Sequence, residues 1–140
     1  MKKSSVLLVS ALLFTPLSQA SDTPLSPSPE GASVYIISPS NGESVSTTFT
    51  VKFGLQGMGV APAGVVKPKT GHHHLIINGE TLPSMTTPLG GSVMHFGGGQ
   101  TEKTLTLSPG QHTLQLILGD HLHMPHNPPV ISEKITITVK

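Results

Sequence analysis

The sequence has no cysteine, no tryptophan and no arginine, and only one tyrosine and four phenylalanines. Each absence excludes something. Without cysteine there is no disulfide, and any metal site has to use imidazole, thioether, carboxylate or backbone ligands instead of thiolate. Without arginine, and with no basic stripe, nothing points to a nucleic-acid partner. Few aromatic residues mean a core of aliphatic side chains. Charged residues are scarce, at 11% of the chain, yet there are eight histidines among 140 residues. No apolar run approaches the about 20 residues that a bilayer-spanning helix needs.

The N-terminus has a processing pattern. Met1-Lys2-Lys3 is followed by an apolar run from Val6 to Phe14, then Pro16 and the small-residue site Ser18-Gln19-Ala20. This is the layout of a cleavable secretory signal, which predicts a periplasmic or secreted protein whose mature chain starts at Ser21 and has no membrane span. Losing Lys2 and Lys3 leaves six lysines against seven acids, a net charge near −1. The expected organisation is signal peptide 1–20, flexible leader 21–32 with Pro24, Pro27 and Pro29, and one domain over 33–140.

Within that domain the pattern is of short strands and Gly/Pro turns. Val34-Tyr35-Ile36-Ile37 is β-branched and aromatic. Phe49, Val51, Phe53 and Leu55 alternate with Thr50, Lys52 and Gly54, as do Ile135, Ile137 and Val139 with Lys134, Thr136 and Thr138. His72–Ile77 reads as a further strand. Thr104–Leu107 and His112–Leu118 read as two strands of a hairpin around Ser108-Pro109-Gly110. No segment has a sustained helical period. The prediction is all-β: a small immunoglobulin-like antiparallel β-sandwich. In such folds a tyrosine often caps a corner by bonding to upstream backbone. Here His112 takes that position, which predicts a structural lock.

Phe53-Gly-Leu-Gln-Gly-Met-Gly-Val60 leading to Thr70-Gly-His-His-His-Leu75 is distinctive. So are His95-Phe96-Gly97, Gly99-Gln100-Thr101, and Leu116-Ile-Leu-Gly-Asp120 leading to Pro125-His126-Asn-Pro-Pro129. In this order they resemble a bacterial family of exported domains catalogued as domain of unknown function 4399. The resemblance runs from about Ser46 to Lys140. It implies a small secreted β-domain and brings no established activity.

Function therefore rests on the histidines. Successive side chains of a strand point to opposite faces, so His72 and His74 share one face, roughly 6.5–7 Å apart at Cα. Two imidazoles so placed suit one metal ion. His73 faces the other way with Leu75 and Ile77, as a buried structural histidine. A second element is His121-Leu-His123-Met124-Pro-His126, in which His123 and His126 converge if the loop curls. Asp120 is a further ligand or an orienting partner. A third is Met94-His95 before Gly97-Gly98-Gly99, where glycine permits close approach. The expected metal ligands are His72, His74, His95, His123 and His126, with Met124 as auxiliary. Five imidazoles exceed the usual three or four, so at least one belongs outside the coordination sphere.

Imidazole suits copper(II) and zinc(II), copper binding tightest, and a thioether adds affinity for copper(I). The first expectation is a non-catalytic, metal-buffering or metal-delivering protein for copper, or zinc. The alternatives are an immunoglobulin-like interaction module for an envelope protein, with histidines as hydrogen-bond locks, and a metal-dependent enzyme. The enzyme would need an open coordination position and a base from Glu80, Asp120 or Glu133. A pH-sensing histidine cluster ranks below metal binding, because it does not require His-x-His spacing. No Ser-His-Asp arrangement stands out among the loop serines.

Overall fold

The computed structural model describes residues 24–140; the predicted signal peptide and the first residues of the leader lie outside that range. Nine strands and no helix are formed among the described residues. Accordingly, no helix there is long and apolar enough to cross a membrane. In chain order the strands are β1 (Ser33–Ser38), β2 (Ser44–Val45), β3 (Thr48–Gln56), β4 (Gly59–Val60), β5 (Thr70–Ile77), β6 (Val93–His95), β7 (Glu102–Thr106), β8 (Gly110–Gly119) and β9 (Ile135–Val139).

They make the expected all-β sandwich. One sheet has the order β1-β3-β7; the other runs β2-β9-β8-β5-β4, with β6 also pairing β5. The long strands pair antiparallel, while the two-residue strands β2 and β4 pair parallel. Alternation decides the faces. Val51 and Phe53 of one sheet meet Leu75, Leu114, Leu116, Leu118, Ile137 and Val139 of the other, all of them buried.

The predicted hairpin around Ser108-Pro109-Gly110 does not form. β7 pairs with β3 and β8 pairs with β5 and β9, so the turn carries the chain from one sheet to the other. Alternation cannot separate the two cases: Leu105 and Leu114 point inward whether their strands lie side by side or are stacked across the core. His112 does lock this crossover. Its Nε2 lies 2.8 Å from the Ser108 carbonyl oxygen, which only accepts, so the proton sits on Nε2. Nδ1 then accepts from the Asn78 amide at 2.9 Å, while Asn78 Oδ1 accepts from Thr113 N–H.

The larger sheet is covered on both faces. Away from the main core, Ile76 and Ile117 pack with Val93 of β6 and with Leu89 from the segment before it, forming a second, smaller apolar cluster. β5 thus places His73 and Leu75 toward the first core and His72, His74 and Ile76 toward the second. Of the expected leader, Ser26–Ser28 lie against the Asp120–Pro129 segment. Ser28 N–H donates to Asn127 O, Asn127 N–H donates to Ser26 O, and Ser28 Oγ donates to Pro128 O.

Candidate metal centre

His72 and His74 project from the second face of β5 and are fully buried. β6 brings in a third ring by register: His95 sits directly opposite His74 in the antiparallel pair, on the same face. The fourth, His123, comes from the turn after β8. The ring centroids lie 4.7 Å apart for His72–His74, 5.0 Å for His72–His95, 5.2 Å for His74–His95 and 4.6 Å for His95–His123. His123 is 5.0 Å from His72 and 6.0 Å from His74. Four imidazoles from three separate segments of the chain therefore meet in one place.

Their nitrogens converge. One ligand nitrogen from each of His72, His74 and His95 lies within 4.8 Å of the others. His95 Nε2 is 3.2 Å from His72 Nε2 and 3.0 Å from His123 Nε2. Four nitrogens around one tetrahedral ion at 2.0–2.1 Å would stand about 3.3 Å apart. Protons satisfy this row poorly. An imidazole nitrogen offers one in-plane site, either a proton or a lone pair. His95 Nε2 has two nitrogen neighbours and a single site, so one well-directed hydrogen bond leaves the other contact unmet. A cation shared by His72, His74 and His95, the three whose ligand nitrogens lie within 4.8 Å of one another, would take one lone pair from each; His123 adjoins this group through His95. His72 Nδ1 and both nitrogens of His74 have no hydrogen-bond partner. The residues fit a metal ion.

Electrostatics favours the ligand form. Burial, followed by the neighbouring His123 and His95, lowers the His72 pKa to about 4 against the opposing Asp120. Burial, then His72, His95 and His123, lowers that of His74 to about 3. Burial and His123 also lower His95, the exposed member. His72, His74 and His95 are thus neutral at pH 7, with lone pairs available.

Metal-bound histidines usually donate their second nitrogen to an acceptor. Here packing fixes the rings instead. A Cβ on Gly119 would lie 2.7 Å from His74 Cε1, and one on Gly97 would overlap the His95 ring. These two glycines are seats for imidazoles. The sequence pattern anticipates close approach at the Gly97 run but marks Gly119-Asp120 only as a turn. No sequence signal distinguishes such a seat from a turn glycine.

His123 stands on a left-handed backbone, φ 65°, which is unusual for a residue with a side chain. Asp120 holds it there. Its Oδ1 accepts from Leu122 N–H at 2.8 Å and Met124 N–H at 3.0 Å, its carbonyl accepts from His123 N–H, and its own N–H donates to Met124 O. Ser26 Oγ donates to Oδ2 at 2.6 Å. Burial raises the Asp120 pKa, but these donors and His121 outweigh it and hold the carboxyl below its ordinary value. Asp120 is thus an organiser of the turn's backbone. Met124 takes part in that turn through its main chain. Met94 points to the opposite face of β6 and packs on the main core.

His126 stands apart from the four rings. It is buried beside Gly71, with Nδ1 3.4 Å from Leu118 O and Nε2 3.2 Å from Thr70 O, between the ends of β8 and β5. His73 occupies the inter-sheet core against Phe53, with ring centroids 5.2 Å apart. The Gln100 backbone approaches it without hydrogen-bond geometry, and neither of its nitrogens has a partner.

A family model described as a domain of unknown function, DUF4399, matches residues 51–140. That span contains all four clustered histidines and both glycine seats. No curated protein and no solved structure matches the chain.

Proposed function

This chain belongs to the DUF4399 family of domains of unknown function, and from that premise we propose that it is a transition-metal-binding protein using His72, His74 and His95, with His123 as fourth ligand. The carrying observation is the row of Nε2 atoms from His72 through His95 to His123, at 3.2 and 3.0 Å, of which the single site on His95 Nε2 can satisfy only one contact by hydrogen bonding. An all-imidazole set suits copper(II) and zinc(II), and copper(II) binds such sets most tightly. Copper is our first choice of ion. Met124, next to His123, is the thioether available should copper(I) be the form carried.

Four protein ligands fill a tetrahedral ion and leave no position for substrate, which favours buffering or delivery over catalysis. The Asp120 carboxylate is engaged by three donors, which argues against a free general base. His95 is exposed and His123 half-buried, so the ion has a solvent-facing edge for uptake and release. The signal-like N-terminus supports action in the periplasm or outside the cell. Titration of tag-free chain 21–140 with copper(II), copper(I) and zinc(II) tests the reading. One equivalent should bind with Kd below about 1 μM, which corresponds to about 8 kcal/mol. The His72→Asn/His74→Asn variant should lose it. A wild-type chain with no stoichiometric site of that strength would overturn the reading.

A further inference from the structure

We propose that the Ser26–Ser28 segment is a latch that positions the fourth ligand, so that Ser26 sets the metal affinity of a site it never touches. The proposal rests on the metal-binding reading above. Three of the four imidazoles come from paired strands and are placed by the sheet itself. His123 alone comes from a turn, and its ring is the most distant from His74, at 6.0 Å between centroids. Its place depends on a left-handed backbone that side-chain-bearing residues adopt only when their surroundings enforce it.

The enforcement passes through one carboxylate. Asp120 Oδ1 gathers the Leu122 and Met124 amides on either side of His123, which fixes the turn. Asp120 Oδ2 is held by the Ser26 hydroxyl, 94 positions earlier in the chain, at 2.6 Å. A carboxylate bonded at one oxygen only can rotate, and rotation moves both amides and the residue between them. Ser26 prevents this. Its own segment is anchored by main-chain bonds to Asn127 on both sides of Pro27, with an isolated bridge pairing Pro27 and Asn127. Residues that read as a proline-rich leader thus form the outer support of the ligand turn. Partners that orient metal ligands in this way typically change metal affinity by 10–100-fold.

The test compares wild type with Ser26→Ala and Ser26→Thr, the latter keeping the hydroxyl. In the metal-free proteins, Leu122 and Met124 amide exchange should accelerate in Ser26→Ala and return toward wild type in Ser26→Thr. With copper(II), chelator competition should show affinity about 10-fold weaker in Ser26→Ala. Its paramagnetic resonance spectrum should lose one of four nitrogen couplings, and Ser26→Thr should restore both. A merely structural role would lower stability without changing the number of coordinated nitrogens. Unchanged amide exchange and unchanged nitrogen coupling in Ser26→Ala would overturn the latch. A wild-type chain that takes up no ion would instead overturn the metal reading, and with it the latch's effect on affinity.

Discussion

Gly119→Ala is the most demanding perturbation, since it adds one methyl group and removes no ligand. In the native fold the His74 ring lies across Gly119, where a Cβ would stand 2.7 Å from His74 Cε1 and 3.2 Å from Nδ1. Carbon atoms rest at about 3.5–4.0 Å, so the ring has to retreat by roughly 1 Å. Leu89 Cδ1, 3.3 Å from the same Cβ, crowds the methyl from another side. Metal–ligand distances tolerate about 0.2 Å, several times less than this retreat. His74 should therefore drop out of the coordination sphere, with a loss of at least about 10-fold in affinity, the lower bound seen for disturbed ligand positioning. Gly90→Ala is the control, because a Cβ there meets nothing within 4 Å. Competition against a chelator, with copper or zinc, reads the difference. If the Gly119→Ala variant binds as tightly as wild type while Gly90→Ala is also silent, His74 is not a ligand and the reasoning from ring geometry fails.

Two further outcomes follow from the buried and locking histidines. His73 is lowered from 6.5 to about 4 by burial. The unfolded chain then takes up a proton that the folded one refuses, so stability is full above about pH 6.5 and falls as pH drops toward 4. The loss from His73 alone is about 3 kcal/mol, and His72 and His74 act in the same direction. His73→Leu should remove that share of the acid limb in urea unfolding at pH 7 and pH 4; an acid limb as steep as wild type would contradict it. His112→Ala removes the bonds to Ser108 O and Asn78 and should cost about 1–3 kcal/mol in denaturant melts. A cost near zero would mean that the crossover holds without its lock.

What was legible in the sequence is what has a local period. Phe49-Val51-Phe53 and Ile135-Ile137-Val139 alternate over enough residues to name both strand and face. The same rule placed His72 and His74 together and His73 behind them. β2, β4 and β6 have two or three residues each, too few for alternation to register. β6 mattered most, because its pairing is what sets His95 opposite His74. The choice between His123 and His126 was also out of reach. Both lie in one loop, and only the Asp120 turn decides that the first ring faces His95 while the second turns to Leu118 and Thr70. The support from Ser26 rests on main-chain bonds between segments far apart in the chain, which leave no mark on side-chain composition.

β5 is bonded to β8 along one edge and to β4 and β6 along the other, with apolar clusters above and below. Backbone so enclosed opens only with the whole domain. On the proposed metal-binding reading, an ion held by His72 and His74 would not be shed by local fraying of their strand. It would leave only when an incoming donor displaced His123 or His95 from the outside, one bond at a time. Handover would then be an associative exchange whose rate rises with the concentration of the acceptor, and the ion would stay bound when no acceptor is near.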